Sequence, residues 1–397
     1  MTVSVENPWR MGPVTDDYAI RGVRAVLPDR IVESATVVVR SGRIDGVSTA
    51  GADTSADLDG ANLMLVPGFI DVHSDALESE RMPRPGAEVP VEFALASFEG
   101  RIAGAGTTTM FHGAGFQHKT YRGIERDPSR AAALCRAIDA TASYRVDHRV
   151  LHRLDVLSAP GAGHLRERLD ALPAQTSGLL VSHEDHTPGQ GQYADPSFMH
   201  RHLVDGDGLS PQEADTHIQR LVREREEKMP VREANLDWLA ELAGRGRIRL
   251  MGHDPDTPDE IGALRARGGQ VAEFPTTLAA ARAARDTGLT TVAGAPNVLR
   301  GGSHSGNVSA RELVAAGLVD ALASDYLPTA LLAAVTLLAR EDDVSLPEAV
   351  SLITAGPAQV AGLDDRGAIA PGLRADFALV DDRIGPWPRV VTTLRAA

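Results

Sequence analysis

Cysteine is almost absent from this chain: Cys135 is the only one in 397 residues. A lone thiol rules out a disulfide framework and a cysteine-based zinc site together, suits a reducing compartment, and ordinarily serves as a small buried core residue. Aromatic side chains are also scarce, at 4%. That leaves little material for an aromatic cage and fits the tight Ala, Val and Leu layers of an α/β interior. Excess positive charge is lacking, the formal charge being −14. Nucleic acids and anionic membranes are bound by clustered Lys and Arg that displace counterions, so neither is an expected partner. No run reaches the ~18 uninterrupted apolar residues of a spanning helix. The first eight residues have no basic stretch leading into an apolar one. The expected location is the cytoplasm, and an anionic substrate must be met by local positive groups or metal ions.

What is present suffices for a core, with 43% hydrophobic and 24% charged residues. At this length one large domain with an appendage, or two domains, is the starting expectation. From Tyr18 to about Leu65 short Val- and Ile-rich runs alternate with Gly and Asp turns, and "RGAIAPGLRADFALVDD" near the C-terminus has the same texture. Residues 1–66 and 366–397 are therefore expected to pair into one small β-sandwich domain.

Between them, over 67–365, apolar runs alternate with Ala-, Leu-, Arg- and Glu-rich helical segments. This is the βαβα pattern of a parallel sheet. Eight strands are predicted, at 68–73, 106–113, 149–156, 178–185, 248–254, 271–275, 290–296 and 321–326. Eight such alternations predict an α/β fold of the (β/α)8 TIM-like barrel class, with the chemistry at the C-terminal ends of the strands. The longest interruption, Pro188 to Asn235, is dense in mixed charge and reads as a solvated helical excursion, with a lid (195–235) as the functional alternative.

His and Asp residues recur at the predicted strand ends: His73-Ser74-Asp75, Arg153-Leu154-Asp155, His183-Glu184-Asp185-His186, His253-Asp254 and Ser324-Asp325-Tyr326. Alternate strand residues point the same way, so His73 and Asp75 can face one metal ion together. His73, Asp75, Asp155, Asp185, His186, His253 and Asp325 are the candidate ligands, with Asp155 and Asp185 as candidate bridges. Such sets suit one or two divalent ions, zinc, manganese or iron, which acidify water near neutral pH. No predicted strand carries a lysine that could be carboxylated as a bridge. A second feature is "GAPNVLRGGSHSGN" at 294–307. There Gly301, Gly302, Ser303, Ser305 and Asn307 are expected to bring backbone N–H groups to a phosphate, with Arg300 supplying charge and His304 a catalytic acid. In "EDHTPGQGQY" (184–193), Gln190 is a candidate for orienting a polar substrate.

"VPGFIDVHSD" resembles the opening of amidohydrolase-superfamily barrels. With "ESERMPRPG", "DHTPGQGQY", "GHDPDT", "AEFPTT", "GGSHSGN" and "SDYLPTALL", the stretch from Pro67 to Gly372 resembles the PhnM-type alpha-D-ribose 1-methylphosphonate 5-triphosphate diphosphatases of phosphonate breakdown. The resemblance implies release of diphosphate from a small-molecule polyphosphate. It implies attack by a metal-activated water on the alpha phosphorus, with Asp325 taking its proton. The first strand carries His73-Ser74-Asp75 where most of the superfamily has His-x-His, which points to a more oxygen-rich site. The alternatives are opening of a cyclic amide or deamination of a nucleobase-like substrate on the same scaffold, or a non-catalytic barrel subunit. A homo-oligomer is compatible with either class.

Overall fold

The computed structural model describes residues 16–49, 56–84, 86–121, 124–143, 145–206, 208–303, 306–341 and 344–396. All eight predicted barrel strands form: β1 (Phe69–Ser74), β2 (Thr107–Phe116), β3 (Asp147–Asp155), β4 (Leu179–Glu184), β5 (Ile248–His253), β6 (Val271–Glu273), β7 (Thr290–Gly294) and β8 (Ala321–Ala323). They run parallel in sequence order as one eight-stranded sheet. Each gives at least one apolar side chain to the interior, among them Val72, Phe111, Leu151, Leu180, Val271, Val292 and Ala323. The opposite strand faces pack on the helices. This is the (β/α)8 barrel.

The barrel closes at its mouth through backbone. Ser74 and Asp325 bridge in parallel, Asp75 N–H donates to the Asp325 carbonyl at 2.8 Å, and Asp325 N–H donates to that of His73 at 2.9 Å. At the other end, Ile70 N–H donates to Ile353 at 2.9 Å and Leu322 N–H to Leu352 at 2.7 Å, so the chain after β8 fills the seam there.

The helices are α1 (Ala76–Arg81), α2 (Val91–Gly104), α3 (Pro128–Ala140), α4 (Ala159–Ala171), α5 (Pro196–Arg201), α6 (Pro211–Gly244), α7 (Pro258–Ala266), α8 (Leu278–Asp286), α9 (Ala295–Arg300), α10 (Ala310–Ala315), α11 (Ala330–Glu341), α12 (Leu346–Ser351) and α13 (Ala355–Ala361). Their starts follow from local chemistry. Thr257 caps α7 through the Glu260 N–H with Pro258 in the first turn, and Ser210 with Glu213 forms a capping box on α6. The charged interruption thus becomes α5, one π-helical turn (His202–Gly206) and the 34-residue α6.

The chain ends build the second sheet. Its strands are ordered Arg389–Leu394, Phe377–Asp381, Met64–Pro67, Tyr18–Val26, Ile31–Arg40 and Arg43–Thr49, with Leu58–Asp59 paired beside Tyr18–Val26. One face carries Ile20, Val37, Ile44, Leu65, Phe377 and Leu379 into its own core. The other face puts Met64, Val66, Ala378 and Val380 against the helices beside the barrel. Alternation along Met64–Pro67 and Phe377–Asp381 therefore serves two cores at once.

Candidate metal centre

Glu273, the last residue of β6, is fully buried and lies between two imidazoles. His73 Nδ1 and His253 Nδ1 each lie 2.7 Å from one of its carboxylate oxygens, and Ser182 Oγ donates to it at 2.6 Å. Burial works against a carboxylate here, yet the two histidines hold Glu273 well below its ordinary pKa. Burial likewise opposes a charged His73, and Glu273 nevertheless lifts it well above the usual imidazole value. A register break between Asp71 and Ser74 keeps Val72 in the interior layer while turning His73 to the mouth. With both Nδ1 atoms engaged, His73 Nε2 faces Asp75 Oδ1 at 3.6 Å, and His253 Nε2 faces Asp254 Oδ2 at 3.5 Å. A carboxylate that holds a histidine's other ring nitrogen, as Glu273 holds both Nδ1 atoms, and leaves the outward one for a cation is a common support of metal sites.

Among the described residues, three groups of potential donors, each within 4.8 Å internally, meet at the mouth: His73 with His253 and Glu273; Glu184 with His186 and His253; and His73 with Asp75 and Asp325. Arg153 joins the last two, donating to Asp75 and, at 2.7 Å, to Glu184. Burial opposes its charge, but Asp75 and Glu184 keep it firmly protonated. Burial also raises the Asp325 carboxyl above its ordinary range, an effect opposed by His73 and reinforced by Asp75. Crowding of Asp75, Glu184, Asp254, Glu273 and Asp325 in one space calls for added positive charge. Imidazole and carboxylate donors without thiolate fit a divalent ion such as zinc, manganese or iron.

Backbone strain collects at the same place. Asp254, Phe274 and Asp325, which directly follow β5 and β6 and close β8, have φ of 53°, 56° and 54°. Left-handed conformations of this kind cost ~1–3 kcal/mol each and persist only where the surroundings enforce them. Phe274 uses the turn to place its ring centroid 4.9 Å from that of His73, the two rings meeting edge-on at 60°.

Of the ligands expected from sequence, His73, Asp75, His186, His253 and Asp325 come together. Asp155 and Asp185 do not belong to these groups. Asp155 Oδ1 accepts from the Leu157 N–H at 3.0 Å, a turn into α4. Asp185 accepts from Thr187 Oγ1 at 2.6 Å and from Arg225 Nε of α6 at 3.0 Å. The acid of β4 that does join a donor group is Glu184, one residue before Asp185, because Leu180, Ser182 and Glu184 share the inward face of the strand. Gln190, expected at the substrate, accepts from Arg225 at 2.9 Å, and Arg232 stands 3.6 Å from Asp185, so α6 grips the β4 loop through two arginines.

The Gly-rich segment differs from its expected form. Residues 295–300 make α9, started by Pro296 and stopped by Gly301 at φ 74°. Arg300, Gly301 and Gly302 thus sit at a helix C-terminus, whose dipole disfavours an anion. Ser303 and Asn307 follow on the loop, and the first N–H of α10, Ala310, is already accepted by Asn297 Oδ1 at 3.0 Å. The loop still passes the mouth, since Val308 N–H donates to Thr276 beyond β6. His304 and Ser305 lie outside the described residues. Sequence reasoning missed Glu273, Glu184, Asp254 and Arg153 as parts of the centre. The signal for Glu273 was an acid closing an otherwise apolar strand.

Comparison with known proteins accords with this geometry. A family model described as "Amidohydrolase family" matches residues 222–392. The chain is 33% identical over 364 residues to the alpha-D-ribose 1-methylphosphonate 5-triphosphate diphosphatase of Escherichia coli (strain K12), covering 91% of this chain and 94% of that one. Among solved structures it is similar to the N-acetyl-D-glucosamine-6-phosphate deacetylase of Mycobacterium smegmatis, with TM-score 0.61, 15% identity, and 95% and 98% of the two chains covered. It is also similar to the 5-methylcytosine deaminase of Klebsiella pneumoniae liganded with 5-fluorocytosine, with TM-score 0.60, 16% identity and 95% of each chain covered. These two likenesses concern the fold.

Proposed function

The chain belongs to the alpha-D-ribose 1-methylphosphonate 5-triphosphate diphosphatase family of the amidohydrolase superfamily, and from that premise we propose that it hydrolyses this triphosphate. The products are diphosphate and 5-phosphoribosyl 1-methylphosphonate, and the place of the reaction is phosphonate catabolism by the C–P lyase route. The observation that carries the reading is the 33% identity sustained over 91% of the chain. The donor groups at the mouth support the hydrolytic part of it.

In this mechanism water oxygen bonds to the alpha phosphorus while the bond from that phosphorus to the bridging oxygen of the leaving diphosphate breaks. His73, Asp75 and Asp325 would hold one divalent ion, and Glu184, His186 and His253 a second. Such ions supply Lewis acidity that acidifies water and neutralises phosphoryl oxygens. Asp325 takes the proton of the attacking water at its carboxylate, whose pKa burial has already raised. Glu273 keeps both imidazoles aimed, and Arg153 fixes Asp75 relative to Glu184. Arg300, at the end of α9, supplies side-chain positive charge for the leaving diphosphate. Diphosphate is a stable anion, so charge neutralisation at the leaving oxygen matters more than its protonation.

Phosphorus NMR of the metal-loaded protein tests the proposal, with ribose 1-methylphosphonate 5-triphosphate as substrate and ATP as a control, while ultraviolet absorbance follows a dihydropyrimidine amide as the second control. Diphosphate released from the first substrate, with the controls intact, is the expected result. An intact triphosphate alongside an opened amide would replace the proposal with a cyclic-amide hydrolase.

A further inference from the structure

Beside the donor groups, an open cleft lies between α1, β2 and α3, reaching Asp75 and Arg153 at its inner end. The floor is kept open by two glycines on the inward face of β2. A Cβ on Gly113 would stand 2.4 Å from Asp75 Oδ1, and one on Gly115 would stand 2.8 Å from Gln117 Nε2. The walls carry Arg81 and Arg130, which converge on Glu88 at 2.5 and 2.6 Å and are thereby held in place.

Polar atoms around this cleft lack hydrogen-bond partners among the described residues. Gln117 is only 5% exposed, and its Oε1 has none. The Nε groups of Arg81 and Arg153 are likewise buried and unpartnered. Leaving buried polar groups unsatisfied is costly, and a recurrent reason for it is a ligand that completes them. The set is one acceptor for a hydroxyl and two donors for an anion, next to the residues that would hold the reacting phosphorus.

We propose that this cleft is the subsite for the sugar phosphonate end of the substrate. Gln117 receives a ribose hydroxyl, and the Arg81–Arg130 wall receives the phosphonate anion, leaving the diphosphate to depart on the opposite side of the centre. This rests on the diphosphatase reading and adds what that reading leaves open, namely which part of the molecule selects the enzyme.

The test is isothermal titration calorimetry of the metal-loaded protein with 5-phosphoribosyl 1-methylphosphonate and, separately, with ribose 5-phosphate. Wild type is expected to prefer the phosphonate. Arg130→Ala should lose roughly tenfold to a hundredfold of affinity for it, with ribose 5-phosphate unaffected, and Arg130→Lys should recover part of the loss. Gln117→Leu should weaken both ligands. Equal affinity of wild type for the two ligands, binding of neither, or an equal loss of both in Arg130→Ala would overturn the subsite. Retained phosphonate preference in a protein that releases no diphosphate would leave the subsite standing and remove the reaction assigned to it.

Discussion

Replacing Glu273 by glutamine exchanges one carboxylate oxygen for an amide nitrogen at the base of the proposed centre. The carboxylate accepts from His73 Nδ1, His253 Nδ1 and Ser182 Oγ. The amide keeps one oxygen and presents an N–H2 where the other was, so one imidazole must turn or lose its partner. A hydrogen bond to a charged group contributes about 1.5–3 kcal/mol. At about 1.4 kcal/mol per tenfold, that is roughly a tenfold to hundredfold loss of metal affinity, the range seen when the residue supporting a metal-bound histidine is altered. Proton competition adds a second signature. Glu273 holds His73 above the ordinary imidazole pKa, so wild-type affinity should rise with pH until His73 has lost its proton. In Glu273→Gln that rise should move to lower pH. Competition for zinc or manganese against a fluorescent chelator, run across a pH series, measures both. Unchanged affinity together with an unchanged pH profile would refute the orienting role of Glu273.

Asp325→Asn should lower kcat for diphosphate release by roughly 10²–10⁴-fold, and full turnover in that protein would remove Asp325 from the chemistry. Gly356→Ala should destabilise the barrel by about 1–3 kcal/mol, because its Cβ would stand 1.8 Å from the Asp320 carbonyl oxygen and backbone yields little; an unchanged urea midpoint would contradict this. Cys135 is fully buried, and burial pushes its thiol up to about 12. The folded protein should therefore resist thiol reagents at neutral pH and react once unfolded, and rapid labelling of folded protein would show the site to be open.

The barrel was legible because its strands are short apolar runs alternating with helical stretches, and that pattern survives without any knowledge of pairing. The centre was legible where a ligand stands at or just past a strand end, as His73, His253 and Asp325 do. It was obscured where the chain leaves the strand. Asp185 follows Glu184 directly, and only the inward parity of Leu180, Ser182 and Glu184 separates the acid facing the mouth from the one facing α6. Glu273 ends a strand of three residues, too short for its period to be read. In the 294–307 segment the signals of a helix were present, Pro296 at its start and Gly301 at its end. The glycine pair nevertheless read as a loop, because a single helical turn has no hydrophobic period of its own.

The seam between β1 and β8 joins residues 251 positions apart in the chain, Ser74 and Asp325, and it is made at the mouth by a few backbone hydrogen bonds. Any cation shared by His73, Asp75 and Asp325 would therefore tie the two ends of the barrel's chain to each other. Closing so long a loop carries a large entropic cost that grows only slowly with further length, and a ligand present only on the closed form shifts the balance by mass action. Metal occupancy in this barrel is thus a matter of folding as well as chemistry. Exchange of the Asp75 and Asp325 amides with solvent would report it, slowing as metal is added and quickening as it is withdrawn.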